Sequence, residues 1–252
     1  MLIAVLLTLW AILCTYDLYG PSLFFAYRPL IAGTVAGVIV GDVTLGMAIG
    51  ATLELAALGV YQYGGATVPD YQTGAIVGTA LAVHVDGGFT HQLSIGIGLG
   101  IPAALLLAAL DPIGRFLPTF WIHRADVAAA EGRARALTML HWTAFIPLAA
   151  VRVIPTFLAV YFLSGDTVKD VQEAIPSGFT PGMELVGALL PAVGFALLLK
   201  LLPLRQYWYM PLIGFVLFAY MKVPLIGIAL FGVAIAVMFV TLKGANERSG
   251  HV

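Results

Sequence analysis

Residues 28–70 run RPLIAGTVAGVIVGDVTLGMAIGATLELAALGVYQYGGATVPD, an apolar and glycine-studded stretch that nonetheless carries Arg28, Asp42, Glu54 and Asp70. An ionisable group at membrane depth costs roughly 2.5–3.5 kcal/mol on insertion scales, so each such group is a candidate for function. Glu54 lies in a helix-like apolar run with no basic residue three or four positions away, and no local ion pair accounts for it. A carboxylate there can accept two or more hydroxyl hydrogen bonds, which is the chemistry a sugar offers. The competing reading is a long-range ion pair with Arg28 or Arg152. Downstream, Gly64, Gly65 and Ala66 allow close backbone approach to a ligand, and Gln62, Thr67 and Gln72 supply neutral hydrogen-bonding groups. Asp70, after Pro69, either binds a ligand hydroxyl or caps the next helix. Asp42 reads as a cap, Arg28 as an interfacial anchor or ion-pair partner, and Asp17 and Glu184 as weaker site candidates near helix ends.

Other chemistries find no support. The chain contains no GxSxG, Walker A, GxGxxG or HExxH pattern, so no catalytic residue is assigned. His84 and His91 flank a Gly-Gly loop with Asp86 between them, a poor metal pattern, and neither metal nor cofactor is expected. Cys14 is the only cysteine, which excludes an internal disulfide.

The elements that must hold these residues are membrane helices. Of 252 residues, 61% are hydrophobic and 10% charged, far from the quarter charged that soluble domains carry. Windows 1–16, 55–69, 87–110, 136–151, 185–199 and 223–242 lack Asp, Glu, Lys and Arg altogether. A bilayer core of about 30 Å takes about 20 apolar residues as helix, or two shorter broken pieces. The fold class is therefore an all-α polytopic membrane protein with broken and re-entrant helices. A net charge of −1 excludes a nucleic-acid partner and leaves the lipid bilayer as the surrounding phase.

Taken in order, residues 2–16 read as a retained first helix. Gly33, Gly37 and Gly41 recur at four-residue spacing, followed by Gly46 and Gly50, which puts a small-residue stripe on a helix that breaks at Asp42. Residues 61–75 read as a re-entrant loop lining a polar cavity, or as an ordinary interfacial loop. Helices are expected over 74–85 and 92–110. RADVAAAEGRARAL (124–137) reads as an amphipathic surface helix inside a basic 111–136 loop. Spans follow over 137–163 and 183–202, and a pair of arms breaks at Lys222-Val223-Pro224. Four Lys/Arg in 111–136 against one in 164–182 put the first loop, and with it the C-terminus, in the cytoplasm. GATLELAALG (50–59) and GMELVGALLPAVG (182–194) hint at an inverted repeat around a central site. We read 1–252 as one membrane-embedded domain, with a site half at 28–110 and a second half at 183–242.

The Arg28–Gly59 block, with GGATVPD (64–70), IGLGIPAALLL (97–107) and MELVGALLPAVGFALLL (183–199), resembles a known family. It is similar to the IIC membrane subunit of the mannose/fructose/sorbose family of the bacterial phosphoenolpyruvate-dependent sugar phosphotransferase system. The resemblance covers nearly the whole chain, and at 179–202 it leans towards amino-sugar members of the N-acetylgalactosamine type. It implies a permease subunit of the plasma membrane that binds a hexose or amino sugar and carries no phosphohistidine. It implies a IID membrane partner, cytoplasmic IIA and IIB proteins that pass the phosphoryl group to the sugar, a trimer of IIC–IID units, and an elevator-like motion. It also implies a sugar site at Glu54 and the Gly64–Asp70 loop. Two rivals stay open: a scaffold whose IID-like partner holds the site, and a stand-alone ion-coupled transporter.

Overall fold

The computed structural model describes residues 1–60, 67–162 and 178–249, and these are helical wherever they are regular. Eleven helices are described: α1 (Leu2–Tyr19), α2 (Pro29–Val40), α3 (Val43–Ala57), α4 (Tyr71–Ala82), α5 (Phe89–Phe116), α6 (Thr119–Ala130), α7 (Ala134–Phe162), α8 (Phe179–Leu201), α9 (Leu204–Tyr207), α10 (Tyr209–Ala219) and α11 (Leu225–Ser249). Among the described residues, α1, α5, α7, α8 and α11 hold apolar stretches long enough to cross a bilayer, whereas α2, α3 and α10 are shorter apolar helices. The protein is a multi-pass membrane protein.

At 1.5 Å per residue, α2 and α3 are about 18 and 22 Å long, well short of a bilayer core. They form a hairpin instead. Gly41 turns the chain at φ +95°, and Asp42 caps α3 by accepting the Leu45 N–H at 2.9 Å. The glycine stripe lies in the seam: a Cβ on Gly33 would stand 2.6 Å from the Gly46 carbonyl oxygen, so only glycine permits the approach. A second glycine contact, Gly74 against Gly100, joins α4 to α5 in the same manner. α4 is the centre of the Met1–Leu199 unit, with every residue from Gln72 to Ala82 buried. A helix apolar on all sides is a core helix, and α2, α3, α5 and α7 surround it.

Several boundaries differ from those expected. α4 starts at Tyr71 rather than 74, because Asp70 caps it and pulls the first turn forward. α5 runs through Asp111 to Phe116, so the 111–136 loop begins later than its charges suggested. The amphipathic helix expected over 124–137 is interrupted. Gly132 adopts φ +66°, the chain turns at Glu131–Arg133, and α7 starts at Ala134. The break at Lys222-Val223-Pro224 is present, with Lys222 at φ +54°.

The chain packs as two compact units, Met1–Leu199 and Lys200–Val252. In the first, α8 crosses α3 where Gly194 meets the Leu55 and Ala56 backbone and Gly59 meets Leu197. The two segments suspected of repeat symmetry thus contact each other, one in a short hairpin arm and one in a longer span. In the second unit the Tyr207 and Phe239 rings meet edge-on at 6.3 Å, and large apolar side chains such as Leu225 and Ile226 face outward.

Candidate functional site

A cavity of about 270 Å³ opens in the first unit, where the end of α1, the start of α2, the end of α3 and the start of α4 converge beside α7. Its size sits near the lower end of the roughly 300–1,000 Å³ typical of small-molecule sites. Its walls mix apolar and polar groups, the latter being Tyr27, Arg28, Asp70, Tyr71, Gln72 and Arg152. Val68, Pro69 and Asp70 bring irregular backbone to it, the arrangement that lipid forbids and a protein-lined cavity allows.

Asp70 caps the next helix, as its sequence context allowed, and also pairs with Arg152, a partner that context did not offer. Its Oδ1 accepts the Thr73 N–H at 3.2 Å and caps α4, while its Oδ2 accepts from Arg152 Nε at 2.9 Å. Its own N–H donates to the Ala104 carbonyl at 3.1 Å, fixing the loop against α5. Gln72 is 4% exposed, and its Nε2 has no hydrogen-bond partner among the described residues. A buried orphan donor is costly, and Gln72 also belongs to the cavity lining, which makes it a candidate for a ligand contact.

Glu54 pairs with Arg28, and its Oε2 also accepts the Leu30 N–H at 3.4 Å. The ion-pair reading of Glu54 therefore describes its contacts. The carboxylate reaches the cavity through Arg28, which lines it. Thr67 is exposed and does not line the cavity. Gln62, Gly64, Gly65 and Ala66 lie outside the described residues. Asp17, 3% exposed, accepts the N–H groups of Phe24 and Ala26 at 3.1 and 2.8 Å and folds the α1–α2 connection, a structural role.

The residue that sequence reasoning underrated is Arg152. In the sequence it offers itself only as a distant partner for Glu54, yet it sits mid-span in α7, 3% exposed, at the cavity wall. Its Nη2 donates to Asp111 Oδ1 at 2.6 Å and to Tyr19 Oη at 2.7 Å, and its guanidinium lies 4.9 Å from the Tyr19 ring centre. Asp111 is held in turn by Arg115 Nε at 2.5 Å. Signs alternate along Asp70, Arg152, Asp111 and the partly exposed Arg115, so the set of four is neutral. The available signal was an arginine inside an apolar span, which demands a carboxylate from another helix. Asp111 escaped notice because it was assigned to a loop.

The description "PTS system sorbose-specific IIC component" matches this sequence over residues 1–238. The chain belongs to that family. Consistent with this, the IIC chain is 34% identical over 222 residues to the sorbose-specific EIIC component of Klebsiella pneumoniae, covering 87% of this chain and 81% of that one. One solved membrane protein superposes at a TM-score of 0.81 with 27% identity over 96% of both chains. A chain of the cryo-EM structure of the mannose transporter ManYZ with microcin E492 superposes at 0.58, with 29% identity over 95% of both. The IIC protein is thus a sugar-permease subunit of a phosphotransferase system. It is a transport component that works with other subunits of the system, and phosphoryl transfer is carried by those subunits.

Proposed function

We propose that the cavity between α1, α2, α3, α4 and α7 is the sugar site of this permease. The observation that carries the reading is that Asp70 and Gln72, whose buried amide nitrogen has no partner among the described residues, both belong to the lining of one small cavity. Asp70 accepts sugar hydroxyls and Gln72 Nε2 donates to a sugar oxygen. Arg28, paired with Glu54, borders the same cavity. The sugar is a hexose or an amino sugar of the N-acetylgalactosamine type.

In this reading the IIC chain pairs with a IID membrane subunit in a trimer of such units, and cytoplasmic IIB, charged by IIA, phosphorylates the delivered sugar. The basic segment around Arg124, Arg133 and Arg135 and the C-terminus face the cytoplasm, and an elevator-like motion moves the site across the membrane. Asp70 and Glu54 are each held by an arginine, which argues against either as a free proton carrier and against the ion-coupled alternative. The test is equilibrium sugar binding to the assembled complex. Gln72→Ala and Asp70→Asn each weaken binding by about tenfold, the weight of one lost polar contact to the ligand. Unchanged affinity in both variants overturns the assignment of the cavity.

A further inference from the structure

Resting on that reading of the cavity, we infer that Arg152 is the positioning residue of the site. It orients the Asp70 carboxylate towards the ligand, and Asp111, Tyr19 and Arg115 set its own orientation from outside the cavity.

The argument starts from the donors of the guanidinium. Of its five N–H groups, Nε is used by Asp70, and the two on Nη2 are used by Asp111 and Tyr19. Nη1 has no partner among the described residues. The planar fork means that Asp111 and Tyr19, by fixing Nη2, also fix the direction of Nε and hence of the carboxylate that Nε holds. The Tyr19 ring under the guanidinium restricts it further. Asp70 is simultaneously tied to the first turn of α4, so only its Oδ2 edge is steered by Arg152. Three helix ends meet at this one side chain: α1 through Tyr19, α4 through Asp70 and α5 through Asp111. Asp111 and Arg115 do not line the cavity. The side-chain route from either residue to the cavity lining runs through Arg152.

That last point makes the proposal separable from a purely structural role. A structural salt bridge governs how much complex assembles, whereas a positioning residue also governs the affinity of the complex that has assembled. Sugar dissociation constants are measured on purified, fully assembled complex carrying Asp111→Asn, Arg152→Lys, both together, or Asp70→Asn as the reference for the cavity itself. Melting of each complex is recorded alongside. Asp111→Asn is expected to raise the dissociation constant about tenfold, as is Arg152→Lys, which keeps the charge but loses the fork. The double variant is expected to be no weaker than Arg152→Lys alone, because the path from Asp111 is already cut. An Asp111→Asn complex that melts earlier yet binds sugar within twofold of the native affinity, while Asp70→Asn binds weakly, overturns the positioning role and leaves the cavity assignment standing. Native affinity in Asp70→Asn overturns the cavity assignment and the positioning role with it. If Asp111→Asn fails to assemble, Arg115→Gln, which loosens the same carboxylate from its exposed side, is measured in its place against the same two outcomes.

Discussion

Arg28 and Arg152 line one cavity, and each is held by a carboxylate from a different helix, but the two pairs are built to opposite rules. The Arg152 side chain is 3% exposed and sits in a neutral chain of four charges with a tyrosine beneath it. The Arg28 side chain is 42% exposed and has Glu54 as its one ion-pair partner among the described residues. A buried charge left without its partner keeps its full desolvation penalty, so removing one member of the first system is costly. An ion pair whose arginine is 42% exposed is screened from that side and costs less to separate, so the second can open and re-form. One arginine of the cavity lining is therefore fixed and the other is adjustable, the combination that the proposed sugar site needs in order to orient a sugar and release it.

That contrast can be broken at several points. Arg152→Gln strands Asp70 and Asp111 and should destabilise the first unit by about 3–5 kcal/mol, seen as lost complex and lost uptake in membrane vesicles. A complex of native yield and native melting temperature would show that the fixed arginine is not fixed. Next in size is Gly50→Val. A Cβ at Gly50 already stands 2.5 Å from the Pro29 carbonyl oxygen and 3.0 Å from Leu30 Cα, the backbone that sets Arg28 beside Glu54. The larger side chain should cost about 1–3 kcal/mol by forcing the hairpin apart, and should lower both the melting temperature and sugar affinity. Glu54→Gln sharpens the comparison from the other side. Stability should shift by no more than about 1 kcal/mol while sugar affinity falls, because the pair is screened on its arginine side but serves the cavity. An equal loss of stability from Glu54→Gln and Arg152→Gln would erase the distinction between the two arginines. The smallest effect belongs to Asp42→Ala, which removes a cap outside the cavity lining. About 1 kcal/mol of stability and no change in affinity are expected.

Much of this was legible in the sequence. All the charge-free windows but 55–69 fall on long apolar helices, the four-residue glycine spacing marks the close-packing stripe that lies in the hairpin seam, and Asp42 after Gly41 marks the break. These are local signals, carried by composition and periodicity. Gln72 and Asp70 could be singled out because polar residues stand out in an apolar context. What escaped was everything that depends on which helix lies beside which. Glu54 had two arginines as candidate partners, and only packing chooses Arg28. Asp111 looked like a loop residue because its charge seemed to end the span. In the fold, Arg115 one turn later and Arg152 from α7 neutralise it, and α5 continues. The broken surface helix was missed for the reverse reason, since helical periodicity persists across Gly132 although the backbone turns there.

The most direct measurement is a structure of the assembled complex with its sugar bound. The account predicts the sugar in the cavity at the start of α4, with one hydroxyl within hydrogen-bond reach of Asp70 Oδ and one sugar oxygen within reach of Gln72 Nε2. A sugar bound elsewhere, with Asp70 and Gln72 making no contact to it, would contradict the account.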